Sequence, residues 1–155
     1  MAGRFYALCA AAVIVALLVV GAVSDGVVRH LIQTSPLWIV VVLGLQGSAH
    51  TKWIALPMFM AWLAIMVLIW LFLLRLARIL TGSYSMIEIA MTMVVGATSI
   101  LVAVAFWRTR TGVSVHGALV ALVIGAVVQV GAVALSIQAP LSSDSALSAW
   151  LKSAR

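Results

Sequence analysis

Long apolar runs divide this chain, and the polar residues collect in the gaps between them. A helix that crosses the hydrocarbon core of a bilayer needs about twenty mainly apolar residues. Four runs meet that length: 5–23, 53–80, 86–107 and 113–138, the second continuing through RLARIL. Each is apolar on all sides, whereas strands of membrane barrels alternate apolar with polar positions. The pattern predicts an all-α integral membrane protein with four transmembrane helices, its single polytopic domain covering 1–140.

The stretch Ser35–His50, SPLWIVVVLGLQGSAH, is harder to place. Its apolar core, 36–46, would make a helix of roughly 16 Å at 1.5 Å per residue. That is about half a bilayer core, a length that suits interfacial or re-entrant segments better than spans. Pro36 fits a first helical turn, where its missing N–H costs nothing. The alternative is a fifth span reaching back to Val27, which would bury Arg29 and His30 near one face. The first run, with Arg4 ahead of it and AVS before Asp25, has features of a signal peptide. Its apolar core exceeds the usual 7–15 residues, so an uncleaved span is expected.

Composition agrees with lipid as the solvent. Of 155 residues, 66% are hydrophobic and 8% charged, against about half and about a quarter in soluble domains. The net charge of +6 comes from nine Lys and Arg. All nine lie outside the apolar runs or at their ends, which favours anionic lipid headgroups over nucleic acid as their partner. In the tail, 141–155, Leu147, Trp150 and Leu151 recur at helical spacing beside Lys152 and Arg155. A short amphipathic interfacial helix or a frayed end is expected there. With four spans, Arg4, Arg75, Arg78, Lys152 and Arg155 fall on one side, and Arg29, Lys52, Arg108 and Arg110 on the other. That slight excess orients both termini toward the cytoplasm, and the Ala- and Val-rich, Lys-poor chain suggests a bacterial inner membrane. Cys9 stands alone, which excludes a dithiol mechanism within this chain.

Candidate chemistry is sparse. Ser85-x-x-Glu88 reads as a capping box opening the third span, and Arg75 and Arg78 would end the helix before it. The alternative for Glu88 is a proton or cation site, since acids at membrane depth are functional by default. His30, His50 and His116 map to one face in the four-span reading, where they would be candidates for haem or metal. They lack ligand spacing, so no cofactor is assigned. Met58, Met60, Met91 and Met93 read as packing rather than copper ligands. Trp53, Trp70 and Trp107 read as interfacial anchors, and Trp62, near mid-span, as packing. Thr92 and Gln129 fall at matching depths, predicting a hydrogen bond between spans three and four. Gly117, Ala121 and Gly125 form a small-residue face, as do Thr92, Gly96, Ser99 and Ala103. Such faces predict a tight antiparallel pair of these two spans, or a docking face for a partner.

These features lead to a non-catalytic membrane protein, an accessory subunit or assembly partner that meets a membrane-protein partner or a second copy of itself. The alternatives are a small oligomeric transporter or channel lined by Thr92, Ser99 and Gln129, and a redox protein built on the histidines.

Overall fold

The computed structural model describes residues 2–24, 26–76 and 84–138. Six helices and no strand occur among them: α1 (Ala2–Val23), α2 (Val27–Thr34), α3 (Leu37–Leu45), α4 (Thr51–Leu73), α5 (Met86–Arg108) and α6 (Val115–Ser136). Helices α1, α4, α5 and α6 are each long and apolar enough to cross a membrane. Asp25, Arg78 and the tail 141–155 lie outside the described residues, and with them the expectations placed there.

The shorter segment differs from the expectation for 36–46. It begins at Val27 and consists of two helices, α2 and α3, meeting at a bend of 47°. This pair runs back along the whole of α1. At one end a Cβ on Gly21 would stand 3.1 Å from the His30 ring, and at the other a Cβ on Gly44 would stand 2.5 Å from the Gly3 carbonyl oxygen. The segment is therefore longer than the 36–46 core, a bent pair of helices returning along α1, which by length and composition is a broken span or a re-entrant piece. Reading only its apolar core missed α2, whose residues VVRHLIQT mix polar with apolar positions. At the bend, the Thr34 hydroxyl donates to the His30 carbonyl and the Ser35 hydroxyl to the Ile32 carbonyl. The Ile32 carbonyl also accepts from the Ser35 N–H, so the hydroxyls add to the backbone bonds at the bend.

Because the return pass reverses the chain, α1, α4 and α6 run parallel, with α2–α3 and α5 antiparallel to them. One end of the bundle, the near end, holds the start of α1, the α3–α4 turn and the α5–α6 turn. Lys52 Nζ there donates to the Thr109 carbonyl at 2.6 Å and lies over the Trp53 and Phe106 rings. Trp53 Nε1 donates to Thr111. The far end holds Ser24, the α4 terminus, the start of α5 and Ser136. The first described helix thus begins at the near end of the bundle and the last finishes at the far end.

Helix α1 is the hub. Half of its most apolar stretch is buried, against 22%, 28% and 22% in α4, α5 and α6. It packs on α2, α3, α4 and α5, while α6 packs on α4 and α2. The expected α5–α6 pair is not formed. The small face of α6 instead meets α4: a Cβ on Gly125 would stand 2.5 Å from the Ile54 carbonyl oxygen and 2.9 Å from the Pro57 ring. Proline removes a bond from the helical ladder, and Gly125 lets the α6 backbone close on that turn. Ala121 is buried on the same face. On α5, Gly96 lies under the Trp70 ring. The outward faces of α5 and α6 are apolar, with Leu101, Val104, Val123, Val127 and Val130 exposed. A contiguous apolar exterior of this kind far exceeds the patches of soluble monomers.

Helix α4 stops earlier than the expected 80. Arg75 takes a left-handed φ of 59°, the Leu76 N–H donates to the Leu71 carbonyl and the Arg75 N–H to the Phe72 carbonyl. This is a Schellman closure, here with arginine where glycine is usual. The same closure ends α3, with Gly47 at φ 71°.

Candidate functional site

A cavity of about 190 Å³ opens toward the far end, between α1, α2, α4 and α5. Its body is apolar: Leu17 and Val20 from α1, Ile65, Met66 and Ile69 from α4, Met91 and Val95 from α5. On α4 the lining recurs at 62, 65, 66 and 69, one helical face. The rim carries Arg29, His30 and Gln33 from α2, Tyr84 ahead of α5, and Glu88 and Thr92 within it.

Four of the rim residues, Glu88, Thr92, His30 and Gln33, are held by hydrogen bonds. The Ser85 hydroxyl accepts from the Glu88 N–H at 3.2 Å, and Glu88 Oε2 accepts from the Ser85 N–H at 2.7 Å. The capping box read from the sequence is present, and it fixes Glu88 at the mouth of the cavity. Thr92 Oγ1 accepts from Trp70 Nε1 and donates to the Ile89 carbonyl. His30 Nδ1 lies 2.8 Å from the Gly26 carbonyl oxygen. A carbonyl only accepts, so Nδ1 carries the hydrogen and Nε2 has the lone pair in the neutral ring. Gln33 Nε2 donates to Ser136 Oγ. The Tyr84 hydroxyl is held above its ordinary pKa of 10.0, first by burial, then by the Glu88 carboxylate, with Arg29 opposing. Arg29 and Glu88 therefore both act on Tyr84 at the rim.

Trp62 gives the cavity its sharpest feature. It is 3% exposed, it lines the cavity, and its indole N–H has no hydrogen-bond partner. Four buried side-chain polar atoms among the described residues lack a partner: Tyr6 Oη, Arg29 Nε, Trp62 Nε1 and Gln129 Oε1. Two of them, Arg29 Nε and Trp62 Nε1, are donors from the lining of this one cavity. A buried donor left unpaired costs about 1–3 kcal/mol, and both atoms are closed off by the packing around them, so that cost is carried within the fold.

The other sequence candidates fall elsewhere. His30 is at the far end, whereas His50 is at the near end beside Gly117, the neighbour of His116. The three histidines do not share a face. The return pass separates them, and no group of three metal-binding side chains exists among the described residues. Thr92 and Gln129 are not bonded to each other. Gln129 Nε2 donates to the Gln33 carbonyl at 3.2 Å. Ser99, fully buried, donates to the Val95 carbonyl of its own helix, so of the three residues expected to line a channel only Thr92 reaches the cavity. Gly117, Ala121 and Gly125 serve packing.

Sequence reasoning missed Arg29, Gln33, Tyr84 and Trp62 as site residues. The i, i+1, i+4 grouping of Arg29, His30 and Gln33 was the available signal, once 27–34 is read as a helix. Nothing in the sequence distinguishes Trp62 from a packing tryptophan. No family model, curated protein or solved structure matches the chain.

Proposed function

We propose that this chain is a non-catalytic, multi-pass protein of a bacterial inner membrane that binds a small, mostly apolar molecule in the far-end cavity. The observation that carries this is a charged and polar rim, with Arg29, Glu88 and His30, above an apolar body. Ligand pockets commonly combine apolar walls with a few placed polar groups. The small-residue faces that favoured an accessory subunit are filled within the bundle by α4 and Trp70, so they add no weight to a protein partner. A carrier is the second reading, drawing on the titratable Glu88 and His30 at the rim.

Native mass spectrometry of the protein released from mild detergent tests the binding role. The parent protein is expected to retain a co-purified small molecule after lipid and detergent are stripped, and Ile65→Trp, which fills the cavity, is expected to lose it. Equal retention by both would overturn the reading. For the carrier, flux of the identified molecule into liposomes that Glu88→Gln abolishes would decide in its favour.

A further inference from the structure

We infer that the ligand of this cavity is a zwitterion with an apolar substituent, its cationic amine set toward Glu88, its oxyanion toward Arg29 and its substituent in the apolar body. The inference rests on the binding role proposed above and narrows it to a chemical class.

Three observations lead there. The first is the pair of charges. Arg29 on α2 and Glu88 on α5 stand on the rim of one cavity, each half-buried. Among the described residues no ion pair joins them. The Glu88 carboxylate is held instead by the cap, with Oε2 accepting from the Ser85 N–H. Opposite charges that share a rim without joining leave a positive and a negative station for one molecule. The second is the reach of these charges. Burial, and then Glu88, holds the Tyr84 phenol above its ordinary pKa, and Arg29 opposes them. Both fields therefore meet at one rim residue. The third is the body. An apolar cavity of about 150 Å³ takes a benzene ring, and this one measures about 190 Å³. It has room for a substituent the size of a large apolar side chain, while anything longer must leave through the open side. Ile65, Met66 and Met91 line that space, and the flexible thioethers adapt to the shape they meet.

These charges discriminate among ligands. A molecule that fills the body and reaches the rim strips water from both groups, and a charge covered without a partner is costly. A neutral head returns no charge to either. An anion would meet Arg29 at the cost of lying near Glu88, and a cation the reverse. A zwitterion replaces the lost hydration at both places with charge-assisted hydrogen bonds, the stronger kind. Two sources carry this chemistry: free apolar amino acids, and phospholipids with an ethanolamine head.

The test uses the full chain in micelles of an uncharged detergent and three probes that each carry a decyl chain: 2-aminododecanoate, decylamine and undecanoate. Binding is measured by native mass spectrometry and by displacement of the co-purified molecule. The zwitterion is expected to bind saturably and about tenfold more tightly than either singly charged probe. Glu88→Gln is expected to weaken the zwitterion about tenfold while tightening undecanoate. Arg29→Gln is expected to weaken the zwitterion similarly while tightening decylamine, and circular dichroism checks that both variants keep their helical content. A variant that merely loosened the fold would weaken every probe alike. Uniform loss, or zwitterion binding that both variants leave intact, would overturn the assignment. So would a preference for either singly charged probe, although a complex that Ile65→Trp abolishes would leave the cavity's binding role standing. L-leucine and didecanoyl phosphatidylethanolamine then compete against bound 2-aminododecanoate. The stronger competitor names the source, a free amino acid or a membrane lipid, and displacement by neither would overturn the assignment. If no probe binds and the parent retains nothing that Ile65→Trp loses, both the assignment and the binding role fail.

Discussion

Glu88 joins two roles in one side chain. It closes the N-terminus of α5 with Ser85, and the same geometry puts its carboxylate at the cavity mouth. Removing a serine cap typically costs about 1 kcal/mol, so Ser85→Ala is expected to lower stability by that amount in a denaturant titration in micelles. Glutamine also serves at the third position of a capping box. Glu88→Gln should therefore stay within about 0.5 kcal/mol of the parent while changing the electrostatics of the rim. Tyr84 reports that change. Because the folded protein favours its neutral phenol, the stabilisation it contributes is complete below about pH 10 and is lost as pH rises through the higher folded value. The difference absorbance titration against Tyr84→Phe is expected to move down in Glu88→Gln and up in Arg29→Gln. A midpoint indifferent to both would place those charges out of reach of the phenol.

Elements were more legible in the sequence than their neighbours. The four long helices follow from apolar length alone, and Gly125 and Gly96 were recognisable as close-approach positions. Depth was legible as well, since Thr92 lies six residues into α5 from the far end and Gln129 toward the far end of α6. Which helix stands opposite was not. Runs apolar on every side carry no stripe that points to one neighbour, so the Gln129 partner became Gln33 and the Thr92 partner Trp70. The rim of the cavity was hidden for the same reason, because it draws on α2, a helix whose mixed residues fall below the apolar threshold. Packing at these contacts gives a direct check. Gly125→Val would drive a branched side chain into the Ile54 carbonyl and the Pro57 ring, and it should destabilise by about 1–3 kcal/mol or more. Arg75→Gly relieves a left-handed arginine and is expected to stabilise by about 1 kcal/mol. A loss of stability in Arg75→Gly would mean that the arginine side chain contributes more than its backbone costs.

At the scale of the molecule, the bent pass of α2 and α3 sets the path of the chain. If the bundle spans a bilayer as its apolar exterior implies, Ser24 and Ser48 lie on opposite sides. In a Cys9→Ala background, Ser24→Cys and Ser48→Cys should react with a membrane-impermeant maleimide from opposite faces of sealed vesicles. Labelling from the same face would return α2 and α3 to a re-entrant hairpin. The bend also decides the site, since it brings Arg29, His30 and Gln33 over a cavity whose walls are otherwise apolar.

The central position of α1 has a consequence for how the protein is made. Helix α1 is synthesised ahead of its partners, since its contacts come from α2, α3, α4 and α5. The surface that α5 covers stays bare until residue 108 has left the ribosome, so α1 waits for four further helices before its surroundings are complete. Helices that enter the bilayer one by one and associate afterwards tolerate such a delay. A ribosome stalled between α4 and α5 would leave a fragment whose hub is open on the side that α5 covers.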